Sequence, residues 1–224
     1  MHIGLIGGIG PAATEFYYRA LVRSHTAAGA RLELTIANAD LHEMVRNMEA
    51  GQPEAQAAAF ARHVDQLKAG GCGAVAVTSM GGHFCIKELE SRSSLPIINA
   101  IPEMDRYFAA LGVRRVGLLG SRPAMESKLY GVSSVEVIAP SADDLPTVHA
   151  TYVSMAMAGA ATDRHRDYFE VAARKLLQAG AEVIVLGGTD LFLAYEGRTP
   201  DYPVVDSALV HADAITRVSL ESPS

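Results

Sequence analysis

The amino-acid sequence contains an internal repeat, which constrains its fold more than local propensities do. The run Ile3-Gly-Leu-Ile-Gly7 recurs as Val116-Gly-Leu-Leu-Gly120, at an offset of 113 residues. At the same offset Thr14 matches Ser127, and Tyr17 matches Tyr130. Two more apolar pairs follow, at offsets of 109 and 107 residues: Ala74-Val-Ala-Val77 with Val183-Ile-Val-Leu186, and Leu95-Pro-Ile-Ile-Asn99 with Tyr202-Pro-Val-Val-Asp206. Small loop deletions between two copies of one unit would produce this shrinking offset.

The repeated runs are predicted to be strands. Each is short, continuously apolar and bounded by Gly or Pro, which is typical of a strand buried on both faces of a parallel sheet. Helical patterns separate the runs, at residues 12–28, 55–69, 87–92, 102–111, 125–130 and 164–179. Alternating strands and helices predict βαβ units with right-handed crossovers, and therefore an α/β fold.

The repeat also predicts the domain organisation. We expect two pseudosymmetric three-layer α/β/α lobes with parallel sheets, each of about 100 residues, which is an ordinary domain size. The first lobe is expected to span residues 1–100 and the second residues 101–206. A last helix, at residues 207–224, is expected to pack back on the first lobe.

Composition and charge argue against several classes of function. The 19 Lys and Arg and 25 Asp and Glu give a net charge of -6 without a basic block, so nucleic acid is not an expected partner. No stretch reaches the roughly 18 apolar residues of a membrane span, and the first residues show no signal-peptide pattern. We therefore expect a cytoplasmic protein without a membrane partner. The two cysteines, Cys72 and Cys85, and the 8 histidines are not spaced as metal ligands are, so no metal site is predicted.

Ligands of open parallel sheets bind at the carboxyl ends of the strands. This rule selects the loops Gly7-Gly-Ile-Gly-Pro11 with Thr14, Thr78-Ser-Met-Gly-Gly-His83, Gly120-Ser-Arg-Pro123 and Gly187-Gly-Thr-Asp190. The first loop lacks the G-x-G-x-x-G dinucleotide fingerprint, so no nicotinamide cofactor is expected. Its glycines would let the backbone approach a small carboxylate, although a tight strand-to-helix turn explains them equally well.

The second and fourth of these loops correspond in the repeat. A ligand on the pseudo-twofold axis would meet Ser79 from one loop and Gly188 from the other, which is the geometry for proton removal on one face of a carbon and return on the other. Serine is a poor base alone, and His83 would activate it if the loop folds back. The alternatives are that His83 packs or caps the following helix, and that Asp190 caps a helix.

Several segments carry a family resemblance: IGLIGGIGPAATEFYYR, AVAVTSMGGH followed by ESRSSLPII, VGLLGSRPAMESKLY, VIVLGGTD and PVVDSALVHADA. Together they resemble the aspartate/glutamate racemases, which need no pyridoxal phosphate, from Ile3 to about Ala214. The resemblance implies two pseudosymmetric α/β lobes with the active site in the cleft between them. It also implies a homodimer formed through the first lobe, no cofactor, and a small amino acid or carboxylate as substrate.

This chain departs from the family pattern in two segments. Where the family has a cysteine followed by Asn-Thr, this chain has Ser79 followed by Met80-Gly81, while the histidine four residues after the cysteine is retained as His83. Where the family has Gly-Cys-Thr-Glu, it has Gly187-Gly-Thr-Asp190. Ordinary two-thiol racemisation is therefore excluded, because a serine hydroxyl cannot be tuned as a thiol can to act as a base near neutral pH.

The resemblance gives each candidate residue a role. The expected catalytic residues are Ser79, His83, Thr189 and Asp190. The expected substrate-binding residues are Gly8, Ile9, Gly10, Thr14, Met80, Gly81, Ser121 and Gly188. Of these, Gly8, Ser79, Ser121 and Gly188 are expected to face one cleft, because all of their loops follow strands.

Two functions remain open from the sequence. The first is an isomerase of the racemase family that acts at the α carbon of a small amino acid or related carboxylate through altered catalytic residues. The second is a catalytically inactive homologue or a small-carboxylate-binding protein, since a fold alone does not establish an activity.

Overall fold

The computed structural model describes residues 1–221, which form two compact units. The first unit comprises Met1–Asn99 together with the residues from His211 onward, and the second comprises Ala100–Val210. The predicted last helix is observed as Ser207–Glu221, and residues 222–224 of that prediction lie outside the described part of the chain.

Within the described residues, the first unit contains a parallel sheet with the strand order β2-β1-β3. Its strands are β1 (Ile3–Gly7), β2 (Leu34–Asn38) and β3 (Ala74–Val77). Every residue of β1 and β3 is buried, as expected of apolar strands covered on both faces. Strand β2 lies at an edge and is partly exposed.

Helices alternate with these strands. They are α1 (Pro11–Ala27), α2 (Leu41–Glu49), α3 (Pro53–Ala69) and α4 (Ile86–Arg92), with a 3-10 helix at Gly81–Cys85. Proline occupies the first turn of α1 and of α3, where its missing N–H removes no helical hydrogen bond. The Asp40 carboxylate accepts hydrogen bonds from the backbone N–H groups of His42 and Glu43, and thereby begins α2.

The second unit contains a parallel sheet with the order β5-β4-β6-β7 among the described residues. Its strands are β4 (Arg115–Gly120), β5 (Glu136–Ile138), β6 (Val183–Gly187) and β7 (Val204–Asp206). Its helices are α5 (Ala100–Leu111), α6 (Arg122–Glu126), α7 (Lys128–Gly131), α8 (Leu145–Ala158), α9 (Asp163–Gln178) and α10 (Phe192–Tyr195), with a 3-10 helix at Thr189–Leu191. Helix α11 (Ser207–Glu221) begins in this unit and continues into the first.

The predicted α/β fold with parallel sheets is confirmed, and two local predictions are wrong. The run Leu95-Pro-Ile-Ile-Asn99 forms only a single parallel bridge, between Ile97 and Val75, before α5 begins at Ala100. The predicted helix at residues 125–130 is broken, since Lys128, Leu129 and Tyr130 have φ angles of 52°, 58° and 58°.

A glycine in the central strand of each unit lets the next long helix approach closely. A methyl group on Gly4 would lie 2.9 Å from Leu67 Cδ1 of α3. The corresponding residue of the repeat, Gly117, faces Leu176 of α9, whose Cβ would lie 2.8 Å from such a methyl group. The repeat therefore extends from the strand sequence to the packing of helix on sheet.

We predict that Gly117→Ala lowers the free energy of unfolding by about 1–3 kcal/mol through overpacking. Leu176 Cβ and Ala181 Cβ, at 2.8 and 3.1 Å from the added methyl, are attached directly to backbone and cannot turn away. The matched control is Gly70→Ala, where the φ angle of -77° is ordinary and the nearest atom lies 3.3 Å away. Equal urea midpoints for the two variants would contradict this account of the packing.

Candidate active site

The loop after β1 is closed by hydrogen bonds of Thr14. Gly8 has a φ angle of 81°, and its N–H donates to Thr14 Oγ1 at 2.9 Å. A side chain on Gly8 would collide with Asn38 Oδ1, at 2.3 Å from the added carbon, so both space and conformation require glycine. The side chain of Ile9 is buried in the core, so this residue can offer a ligand only its backbone.

Two hydroxyl groups link the loops after β1 and β3. Thr14 Oγ1 lies 3.3 Å from Thr78 Oγ1, and the Thr78 hydroxyl donates to the backbone oxygen of Ile6 at 3.1 Å. Gly8 and Ser79 follow neighbouring strands, because β1 pairs directly with β3. The first unit therefore brings two of the predicted loops together at one edge of its sheet.

Ser79 and His83 are in contact, although not through the serine hydroxyl. His83 Nδ1 donates to the backbone oxygen of Ser79 at 2.7 Å, while Ser79 Oγ accepts from the N–H of Gly82 at 3.2 Å. The loop does fold back, since the 3-10 helix begins at Gly81 and Met80 is fully buried before it. With Nδ1 as the donor, the neutral ring carries its lone pair on Nε2.

A second buried histidine, His211 of α11, packs against His83. The two rings meet edge to face with centroids 5.6 Å apart. His211 Nε2 donates to the backbone oxygen of Ile98 at 2.7 Å, and Nδ1 accepts from the Tyr17 hydroxyl at 3.0 Å. Burial lowers the pKa of His83 to about 4, and burial together with the neighbouring His83 lowers the pKa of His211 to about 3. Both imidazoles are therefore neutral near pH 7.

The loops after β4 and β6 carry buried hydroxyl groups without partners. Ser121 Oγ and Thr189 Oγ1 accept and donate no hydrogen bond, although these residues are only 2% and 0% exposed. Gly120 and Gly187 are paired in neighbouring strands, so Ser121 and Gly188 leave the sheet side by side. Leaving a polar group buried and unpaired costs about 1–3 kcal/mol, which a hydrogen-bonding ligand would recover.

Asp190 is buried beside a tyrosine that sequence reasoning missed. The hydroxyl of Tyr152, on α8, donates to Asp190 Oδ2 at 3.4 Å. Both residues are buried, and burial with the Asp190 charge raises the pKa of Tyr152 well above its usual value. Tyr152 lies 38 residues before Asp190, so no local pattern could have linked them.

The two cysteines are buried and lack the features of reactive thiols. Burial raises the pKa of Cys85 to about 12, and its Sγ donates to the backbone oxygen of Gly82 at 3.4 Å. Burial also raises the pKa of Cys72. Reactive cysteines have lowered pKa values and partly exposed sulfur atoms, so neither thiol fits a catalytic role.

Residues 1–221 contain neither a cluster of metal ligands nor a membrane-spanning helix. Over that part of the chain, no three His, Cys, Asp or Glu side chains are gathered as a metal would require. In the same residues, no helix combines the length and the apolar character needed to span a membrane.

Comparison with known proteins identifies the family. The family model described as Asp/Glu/Hydantoin racemase matches residues 6–215. The chain belongs to this racemase family. Its matched region includes all of the loops described above, from the turn after β1 to the 3-10 helix after β6.

Solved structures of related proteins share the racemase fold. A candidate Asp/Glu racemase from Yersinia pestis is 25% identical with a TM-score of 0.84, covering 99% of this chain and 100% of its own. An aspartate racemase homologue from Pyrococcus horikoshii is 22% identical with a TM-score of 0.77, covering 98% and 99%. The aspartate racemase of Picrophilus torridus is 17% identical with a TM-score of 0.79, covering 100% and 96%.

The buried histidines of this racemase-family protein predict a loss of stability in mild acid. A histidine of the unfolded chain binds its proton near pH 6.5, whereas His83 and His211 require about pH 4 and about pH 3. Between those values the unfolded chain binds more protons. The free energy of unfolding should therefore fall as the pH is lowered below about 6.5, by up to about 1.4 kcal/mol per pH unit for each histidine.

Two variants test this dependence by urea unfolding between about pH 7 and about pH 5. His83→Asn keeps a donor near the Nδ1 position and His211→Gln keeps one near Nε2, while each removes a titrating ring. Each should reduce the slope of the unfolding free energy against pH by the contribution of one proton. Unchanged slopes in both buried-site variants would show that these rings do not resist protonation.

Proposed function

We propose that this chain is an isomerase that acts at the α carbon of a small amino acid or related carboxylate without pyridoxal phosphate. The observation that carries the proposal is the pair of buried, unpartnered hydroxyls, Ser121 Oγ and Thr189 Oγ1. A carboxylate accepts hydrogen bonds, and charge-assisted bonds of this kind are about twice as strong as neutral ones. Membership of the racemase family supports this class of reaction and of substrate.

In the first unit, His83 is proposed as the general base. Its ring is neutral and donates through Nδ1 to the Ser79 backbone, so Nε2 retains the lone pair that accepts a proton. Ser79, at the position where the resemblance has a cysteine, is proposed to contact the substrate. Gly8, Ile9, Gly10, Met80 and Gly81 would contribute backbone groups, and Thr14 would hold their loop in place.

In the second unit, Thr189 and Ser121 are proposed to bind the carboxylate, and Asp190, which accepts the hydrogen bond of the Tyr152 hydroxyl, is proposed as a further catalytic residue. Gly188 contributes no side chain, and the loop is extended there, with φ and ψ of -125° and 122°. The proposed reaction uses no thiol, because Ser79 and Gly188 replace both cysteines of the family pattern. The resemblance also supports the proposal of a cytoplasmic homodimer.

One observation favours a second function, that of a small-carboxylate-binding protein without catalysis. Ser79 Oγ accepts from the Gly82 N–H, and His83 donates to the Ser79 carbonyl rather than to its hydroxyl. This arrangement does not activate the serine, so a chemistry that depends on a serine oxyanion is disfavoured. The two functions differ in whether a bound substrate exchanges its α proton.

Exchange of the α proton with heavy water tests the proposed activity. L-aspartate, D-aspartate, L-glutamate and D-glutamate are incubated with the protein, and deuterium at the α carbon is followed by NMR. We expect exchange with the native chain and a loss of about 100-fold in His83→Asn, since general-base catalysis contributes about this much or more. His42→Gln is the control. Binding of these amino acids without any exchange would favour the second function instead.

We predict that removing the unpartnered Thr189 hydroxyl weakens substrate binding but does not destabilise the folded protein. Thr189→Val removes a buried hydroxyl without changing the side-chain shape, so the free energy of unfolding should stay the same or rise by up to about 1 kcal/mol. The affinity for L-aspartate or L-glutamate, measured by calorimetry, should fall about tenfold, because one hydrogen bond to a charged group is lost.

The matched control is Ser207→Ala, because the Ser207 hydroxyl is also buried but donates to the Leu186 backbone oxygen at 2.5 Å. It should lower the free energy of unfolding by about 1 kcal/mol. If Thr189→Val destabilises the protein as much as Ser207→Ala does, the Thr189 hydroxyl has a partner inside the protein and is not reserved for a ligand.

A further inference from the structure

Position 188 lacks a side chain because its space is already filled. A methyl group on Gly188 would lie 2.4 Å from Tyr152 Cε2, 2.6 Å from Cζ and 3.0 Å from the phenol oxygen. These distances are too short for any side chain to be added while the ring stays in place. The backbone does not require glycine, since φ and ψ of -125° and 122° are open to every residue. Packing against Tyr152 therefore excludes a larger residue.

Tyr152 is also held by its surroundings. It lies on α8, is 7% exposed, and its hydroxyl donates to Asp190 Oδ2 at 3.4 Å. A hydrogen bond of this length is weak, so the phenol proton can turn to a better acceptor that enters the site. Burial and the Asp190 charge keep the phenol protonated at neutral pH.

We propose that Tyr152 is a catalytic residue that supplies the second unit's proton, with its phenol occupying the space that a side chain on residue 188 would fill. This inference rests on the proposed function, because it assumes a carbanion at the α carbon of a substrate held by Ser121 and Thr189. Tyr152, the acid of the reaction in this proposal, is identified by its packing against residue 188 and not by any sequence pattern.

The step balances without a cofactor. The Tyr152 O–H bond breaks as a C–H bond forms, and the carbanion's electron pair becomes the new C–H bond. The electron pair of the O–H bond remains on the phenolate oxygen, which then takes a proton from water. The hydroxide that this leaves is neutralised by the proton that His83 removed from the substrate, so both residues return to their starting states. A phenolate beside the buried Asp190 carboxylate is unfavourable, so reprotonation is expected to be rapid.

The first part of the test measures whether Tyr152 fills the space at residue 188, and it needs no activity. Gly188→Ala, Tyr152→Leu and the double variant are unfolded in urea. Leucine keeps an apolar side chain in the core but lacks the outer atoms of the ring. Gly188→Ala should lower the urea midpoint clearly in the native background and much less in the Tyr152→Leu background, where the shorter side chain leaves room for the added methyl group. Additive effects would overturn the proposal.

The second part measures the proton donor. Tyr152→Phe keeps the ring and loses only the hydroxyl, and it should lower kcat for racemisation, followed by chiral analysis, about 100-fold while KM changes less than about threefold. L-aspartate and L-glutamate are the probes, and Tyr168→Phe is the control from the same unit. Racemisation by Tyr152→Phe at the native rate would overturn the proposal while leaving the proposed function intact. Absence of exchange by the native chain would overturn the proposed function, and the donor role with it.

Discussion

Parallel hydrogen bonding between neighbouring strands positions the candidate site of each unit. Strand β1 pairs with β3 up to Ile6 and Val77, and β4 pairs with β6 up to Gly120 and Gly187. Chains that leave a sheet from paired residues begin their loops side by side. A register slip of one residue would turn each of these buried strands over and move its loop, so strand pairing fixes where the polar groups can meet.

The two units treat their buried polar groups differently. In the first, the buried imidazoles of His83 and His211 both have hydrogen-bond partners, and burial keeps them neutral. In the second, the hydroxyls of Ser121 and Thr189 lie buried without partners. Under the proposed function, the base of the first unit is a buried group whose hydrogen bonds are made, whereas the second unit has buried hydroxyls that a bound carboxylate would pair.

The sequence allowed the strands and the loops to be predicted, because a repeat of buried apolar runs is a local pattern. It did not reveal the edge strand β2, which is partly exposed, or β5, which has only 3 residues. Tyr152 and His211 were missed as site residues for a different reason. Tyr152 contacts Asp190, and His211 contacts His83, from helices that are distant in the sequence. Packing alone also decides whether a buried hydroxyl such as Thr189 Oγ1 has a hydrogen-bond partner.

The proposed carboxylate site is tested most simply at the loops that follow β4 and β6, where the Ser121 and Thr189 hydroxyls lie buried without partners. Backbone amides are followed by NMR at residues 121 and 188–190 while L-aspartate is added. We expect these amide signals to shift along saturable curves with one common Kd, and Thr189→Val to raise that Kd. Shifts confined to other surfaces, or loops that titrate with unrelated Kd values, would contradict the proposal.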